Sequence, residues 1–143
     1  MAAIVSYRDL EAWKAAMNLL LATYAVARQL PQTERFELSA QMRRAAVSVP
    51  SNIAEGQATG PGGRYRHHVR IALGSLAELD TELEAVRRLE YSSEEALRVV
   101  AEHLAQTGRL LHGLDRSLRR RHVATSCLTI CGLFCVCGTL LLS

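Results

Sequence analysis

Residues 65–86 read YRHHVRIALGSLAELDTELEAV and carry the longest uninterrupted apolar stripe among the first three helices that the sequence predicts. Apolar side chains return at alternating steps of four and three residues, which keeps one face of an α-helix against a core. The positions are Tyr65, Val69, Ala72, Leu76, Leu79, Leu83 and Val86. This spacing predicts an amphipathic helix, called helix 3 below.

A similar stripe near the N-terminus predicts helix 1. Ser6 and Asp9 have the spacing of a capping box at its start, and Pro31 ends it directly after Leu30. Its expected core positions are Leu10, Trp13, Met17, Leu20, Tyr24 and Ala27.

Helix 2 is predicted to begin with Ser39 as its N-cap and to end at Gly56, a residue suited to helix C-termini. Its expected core positions are Leu38, Met42, Ala45, Val49 and Ile53. Pro50 lacks the N–H that would reach the Ala46 carbonyl, so a kink is expected there. Residues 57–63, QATGPGG, are predicted to form a loop.

Helix 4 is predicted to open with a capping box formed by Ser92 and Glu95. Its stripe consists of Leu97, Val100, Leu104, Thr107, Leu111, Leu114 and Leu118. Four amphipathic helices with short connections predict an all-α, antiparallel up-down-up-down four-helix bundle over residues 1–121. A long coiled coil is disfavoured, because residues 31–33, 57–63 and 90–93 divide the pattern into pieces of bundle length.

Charge is unevenly distributed along the 143 residues, and 16 of the 17 basic residues are arginine. Residues 59–77 carry three Arg and no acid, residues 78–95 carry seven acids, and residues 109–121 carry five Arg against one Asp. A genome rich in G and C would also favour arginine over lysine. Such patches serve acidic partners such as nucleic acid, or pair with opposite patches on a second copy of the chain.

Motifs for enzymatic chemistry are missing from the sequence. No Glu is followed by His three positions later, as a ferritin-like di-metal site requires. His67 and His68 would point about 100° apart on a helix, which does not suit a shared metal ion. Residues 59–64, TGPGGR, lack the Lys-Ser/Thr ending of a phosphate-binding P-loop. The sequence therefore predicts a non-catalytic protein without metal or cofactor.

Helix 2 carries a polar stripe opposite its expected core face, within an arc of about 100°. Its members are Gln41, Arg44, Ser48, Ser51, Asn52 and Glu55. The stripe is either the solvated side of the helix or a contact between subunits, since the small residues Ala46, Val47 and Ala54 beside it allow close approach.

Three segments resemble the four-helix-bundle proteins known as 23S rRNA-intervening sequence proteins. They are YRDLEAWK at residues 7–14, QMRRAAVSVPSNIAEG at 41–56 and IALGSLAEL at 71–79, and the resemblance extends over residues 6–121. It implies a homopentameric ring, and one relative is the accessory protein of a reverse transcriptase in diversity-generating retroelements. It also implies structural or inter-subunit polar contacts at Arg44, Ser48, Asn52, Glu55 and Gly56.

The C-terminal tail, residues 122–143, departs from this family. Residues 123–142 carry no charge, and all four cysteines lie at positions 127–137. Twenty uncharged, mostly apolar residues behind a basic run are long enough to anchor a protein in a membrane. Packing on the bundle, or an extension without function, are the other two interpretations. Without a cysteine or an N-terminal signal pattern, the bundle is expected in the cytoplasm.

The leading functional hypothesis is an oligomeric adaptor that binds RNA or a ribonucleoprotein through basic patches. The residues expected to contact nucleic acid are Arg64, Arg66, Arg70, Arg116, Arg119, Arg120 and Arg121. One alternative is a protein-only scaffold that docks a partner enzyme such as a reverse transcriptase. Another is a bundle tethered to a membrane by residues 123–142.

Overall fold

The computed structural model describes the backbone of residues 6–60 and 63–137 and the side chains of residues 6–60 and 63–120. These residues form four α-helices and no strand: α1 Glu11–Ala27, α2 Leu38–Ala58, α3 Gly63–Arg88 and α4 Glu94–Cys137. Short 3-10 helices at Tyr7–Asp9 and Gln32–Arg35 precede α1 and α2. The predicted all-α class with four helices is confirmed.

The core is formed by apolar stripes of all four helices. Every predicted core position of helix 3 is buried on α3. On α2 the predicted positions are buried except Leu38, which is half-buried, and on α4 only Leu104 and Leu114 are half-buried. On each of these helices, most of the side chains that enter the core therefore come from a single face, as the sequence spacing predicts.

The core face of α1 differs from the prediction by about one residue. Its buried positions are Ala12, Ala15, Ala16, Leu19, Thr23, Val26 and Ala27. Of the predicted positions Ala27 is buried, whereas Leu10, Trp13, Met17, Leu20 and Tyr24 are half-buried. Alanines let α1 approach its neighbours closely, and the larger side chains cover the edges of the contact.

The starts of α1 and α2 use different caps from those predicted. The Ser6 N–H donates to Asp9 Oδ2 over 2.8 Å, but this capping box belongs to the 3-10 helix, and α1 begins after Leu10. Ser39 is not an N-cap, because Glu37 occupies that position. The Ser39 hydroxyl instead donates to the Ala27 carbonyl over 2.8 Å, which satisfies a group at the end of α1.

The ends of α2 and the start of α4 also move by one or two residues. Helix α2 continues through Pro50 and past Gly56 to Ala58, so Gly56 does not end it. The Ser93 hydroxyl, rather than that of Ser92, accepts the Ala96 N–H over 3.3 Å at the start of α4. The predicted loop at 57–63 is shorter than expected, since Gly63 begins α3, and its residues 61–62 lie outside the described chain.

Helix α4 extends to Cys137, beyond Leu118, the last buried residue that the structure describes. Across the described residues, no helix combines the length and apolar character needed to cross a bilayer. The predicted anchor at 123–142 lies outside the described side chains, and its last residues lie outside the described backbone.

Candidate nucleic-acid interface

The polar stripe of α2 faces α3 along its central part. The hydroxyls of Ser48 and Ser75 lie 2.8 Å apart. The Asn52 amide nitrogen donates to the Ser48 carbonyl over 2.9 Å, and its Oδ1 lies 3.2 Å from His68 Nδ1. Because Oδ1 can only accept, Nδ1 of His68 carries the hydrogen. The Ser48–Ser75 and Asn52–His68 contacts join the two helices within one chain.

The line of contacts between α2 and α3, called the seam below, continues to the end of α2. Glu55 Oε2 lies 3.6 Å from His68 Nδ1. Gly56 is buried against Tyr65, and a Cβ on it would lie 2.6 Å from Tyr65 Cδ2. The close approach of α2 and α3 therefore requires glycine at this position. The signature positions Ser48, Asn52, Glu55 and Gly56 have contacts inside the chain, and a contact with a second copy stays a prediction.

At the other end of the seam, sequence reasoning missed Glu82. This α3 carboxylate is 8% exposed, and among the described atoms its Oε2 has no hydrogen-bond partner. Burial, with a smaller contribution from repulsion by Glu78, raises the pKa of Glu82 to about 7, while the Arg44 guanidinium acts in the opposite direction. The sequence did contain a signal for Glu82. It is an acid three residues after Leu79, at the spacing of the apolar stripe of helix 3.

The predicted basic patch on α3 divides into two kinds of arginine. Arg64 and Arg70 are exposed, and no ion pair holds them in the described part of the chain. Arg66 is half-buried, and its Nε donates to Asp115 Oδ1 on α4 over 2.9 Å. That ion pair brings the beginning of α3 beside the segment of α4 that carries the second predicted patch.

On α4, the unpaired arginines include one more than the residues predicted to contact nucleic acid. Arg116, Arg119 and Arg120 are exposed and have no carboxylate partner among the described residues, while the Arg121 side chain lies outside them. Arg109, which sequence reasoning did not select, is also exposed and unpaired there. Its spacing of seven residues from Arg116 places both on one face of the helix and was the signal that could have identified it.

Arginines at the other end of α3 and at the start of α4 are paired with acids. Arg87 and Arg88 each lie 2.8 Å from a Glu84 oxygen. Arg98 contacts both Glu95 and Glu102. On α3 and α4, unpaired positive charge is therefore concentrated near the start of α3 and at residues 109–120 of α4. The Arg66–Asp115 ion pair brings these two segments together.

Residues that would indicate a metal centre do not come together in the described part of the protein, where no group of three His, Cys, Asp or Glu side chains could hold an ion. The rings of His67 and His68 have their centroids 5.9 Å apart in an edge arrangement. Both lie beside the α3 arginines in the sequence, and His68 contacts Asn52 and Glu55 of α2.

Four helices around a single apolar core define a small four-helix-bundle protein. The chain belongs to the family of 23S rRNA-intervening sequence proteins, which it matches over residues 8–113. The family predicted from its sequence segments is thereby confirmed.

The fold is similar to a crystal structure of a protein with unknown function from the S23 ribosomal protein family of Bacteroides thetaiotaomicron. The TM-score is 0.67 at 20% sequence identity, and the match covers 73% of this chain and 97% of that chain. A likeness at this identity concerns the fold alone. None of the curated proteins compared with the chain matches it.

Proposed function

We propose that the protein is a non-catalytic, oligomeric helical adaptor that binds RNA or a ribonucleoprotein through the arginines near the start of α3 and the end of the bundle part of α4. The observation that carries this proposal is the Arg66–Asp115 ion pair of 2.9 Å, which joins two basic patches that are far apart in sequence. Their neighbours Arg64, Arg70 and Arg119 have no acid partner in the described residues. Unpaired arginines favour phosphate, because a guanidinium can donate two parallel hydrogen bonds to it.

The proposal includes an antiparallel up-down-up-down order of the four helices and a ring of five copies, as the family resemblance implies. Two contacts support the antiparallel packing of α2 and α3: Ser48 meets Ser75 and Asn52 meets His68, so successive positions on α2 meet positions in reverse order on α3. Val47, 40% exposed beside the signature residues, supports a contact between copies at the outer edge of α2. A ring would repeat the basic surface around its axis and increase avidity for a long RNA.

Charge reversal tests the proposal. In the full chain, Arg64→Glu with Arg70→Glu, and separately Arg119→Glu with Arg120→Glu, should each weaken binding of a labelled, structured RNA measured by fluorescence anisotropy. The loss of two phosphate contacts should also reduce the slope of log Kobs against log salt by about 1.5. Asp115→Asn removes an acid and releases Arg66, so it should tighten binding.

A matched control is available on the far side of the molecule. Arg28 and Arg35 are exposed, and the neighbouring Glu34 accepts a 3.3 Å hydrogen bond from Tyr91, which precedes α4. Arg28→Glu with Arg35→Glu changes the net charge by the same amount away from the proposed surface. Equal losses in the control and the patch variants, or absence of RNA binding by the unchanged protein, would contradict the proposal.

A protein-only scaffold is the second candidate, and exposed apolar side chains favour it. Leu21 is 63% exposed and Phe36 is 81% exposed, and aromatic side chains such as Phe36 are enriched at protein–protein interfaces. A scaffold of this kind would dock a partner enzyme such as a reverse transcriptase. Failure of RNA binding in the experiment above would leave the scaffold as the better account.

A further inference from the structure

A groove of about 590 Å³ on the α3–α4 surface is lined by three basic side chains, Arg109, His112 and Arg116. None of the three has a hydrogen bond or ion pair with another described residue. A second groove of about 500 Å³ on these helices is lined by Arg87 and Arg88, which Glu84 neutralises. Of these two grooves, the first is the one that offers free positive charge.

The floor of this groove is apolar. Leu76 comes from α3, and Leu104, Ala105 and Gly108 come from α4. A Cβ at Gly108 would lie 3.3 Å from Leu76 Cδ2, which is closer than ordinary van der Waals contact. Glycine at this position therefore lets Leu76 approach α4 closely at the floor of the groove.

Free basic side chains beside an apolar floor suit a ligand that carries both anionic groups and flat apolar groups. Arg109 and Arg116 are two helical turns apart, about 10 Å along α4, with His112 between them. Each nucleotide of a single strand supplies a phosphate together with a base that can leave the stack. Unstacked bases pack on histidine rings and on guanidinium planes as well as on apolar side chains.

Two other acidic ligands fit the groove less well. In a duplex the bases remain stacked inside, so it would offer phosphates to the arginines but nothing to the apolar floor. An acidic peptide supplies carboxylates without a flat apolar group attached to each one. The combination of cationic side chains with an apolar floor in one groove therefore favours a single strand.

We propose that this groove binds a single-stranded segment of RNA, with phosphates at Arg109 and Arg116 and an unstacked base over Leu76 and Leu104. The inference rests on the proposed RNA-binding function and adds to it a preference for unpaired nucleotides. It also assigns contacts to Arg109 and His112, which are not among the residues that the sequence predicts to contact nucleic acid.

The test compares the full chain with two labelled probes in fluorescence anisotropy: a ten-nucleotide single-stranded RNA and a blunt RNA duplex of equal length. Arg109→Gln should weaken binding of the single strand by about tenfold, the loss expected for one charge-assisted contact, and should change duplex binding much less. Gly108→Leu fills the floor without changing charge and should also weaken the single strand selectively. Arg98→Gln is the matched control, because it removes one charge from the same helix where Glu95 and Glu102 already pair with it; it should leave both affinities unchanged.

The outcomes separate this inference from the proposed function. Duplex binding that responds to Arg64→Glu with Arg70→Glu, together with single-strand binding that ignores Arg109→Gln, would overturn the inference and leave the function standing. Displacement of the single strand by oligoglutamate at equal charge concentration would also overturn it and assign the groove to acidic peptides. Absence of binding to both probes would overturn the proposed function and the inference together.

Discussion

Replacing Glu82 with glutamine should stabilise the protein above neutral pH and have little effect in acid. The carboxylate is 8% exposed, and its Oε2 finds no hydrogen-bond donor among the described residues. Burial first, and Glu78 second, raise the pKa of Glu82 from 4.5 to about 7. Glutamine has nearly the same shape and carries no charge, so the cost of burying an ionised carboxylate disappears.

The direction of the pH dependence follows from proton linkage. The native state binds the Glu82 proton more tightly than the unfolded chain. The contribution of Glu82 to the free energy of unfolding is therefore highest below pH 4.5 and falls as pH rises through about 7. Above that range the contribution of Glu82 is constant. At about 1.4 kcal/mol for each pH unit, the gap between the two pKa values sets an upper limit of ~3 kcal/mol on the loss.

The assay is urea unfolding followed by far-UV circular dichroism at about pH 4 and about pH 8. The free energy of unfolding of Glu82→Gln should exceed that of the unchanged protein by up to ~3 kcal/mol at the higher pH. At the lower pH the two values should differ little. Asp80→Asn is the control, since Asp80 is exposed on the same helix and has no partner among the described residues. An equal difference between Glu82→Gln and the unchanged protein at both pH values would refute the reasoning.

Two further predictions concern packing and assembly. Glycine to alanine inside a helix ordinarily stabilises by about 1 kcal/mol, and Gly74→Ala on α3, where a Cβ meets nothing within 4 Å, should do so. Gly56→Ala should instead lower the free energy of unfolding by about 1 kcal/mol, because overpacking against Tyr65 outweighs the gain; stabilisation of both variants in urea would contradict this. Multi-angle light scattering of the full chain should give a multiple of the 15.7 kDa chain mass, and a monomer would refute the proposed ring.

The sequence predicted the face of α3 well and that of α1 poorly, for a physical reason. On α3 the stripe through Leu76 and Leu83 is the main apolar face, and charged residues occupy much of the rest. On α1, Leu19, Leu20 and Leu21 follow one another, so apolar side chains cover three directions and periodicity does not select one. Leu19 is the leucine that is fully buried, and the buried side chains one turn before it, Ala15 and Ala16, are small enough to permit close approach.

Helix ends and the role of the α2 stripe depended on tertiary contacts that local patterns do not contain. Ser39 has the chemistry of an N-cap, but its hydroxyl satisfies the Ala27 carbonyl of another helix. The stripe containing Ser48 and Asn52 was identified as polar, yet its partners Ser75 and His68 follow from the pairing of α2 with α3. A polar residue has no fixed neighbour until the helices are placed.

The sequence could predict which arginines of the candidate site are exposed. It could not predict how the folded chain arranges them on the surface. Charge counting selected Arg64, Arg70 and Arg116, all of which are exposed. It could not reveal that Arg66 is held by Asp115, since the two are separated by 49 residues along the chain. Arg109 was missed because its proposed role in binding depends on the groove beside it, and α3 contributes Leu76 to the apolar floor of that groove.

The most direct test of the account is the salt dependence of RNA binding by the full chain. If free arginines near the start of α3 and on α4 contact phosphates, log Kobs for a structured RNA should fall linearly with log salt, by about 0.7 to 0.9 for each phosphate neutralised. Four or more contacts should therefore give a slope steeper than about −2.8. RNA binding with a slope near zero, or no binding at low salt, would contradict the central claim.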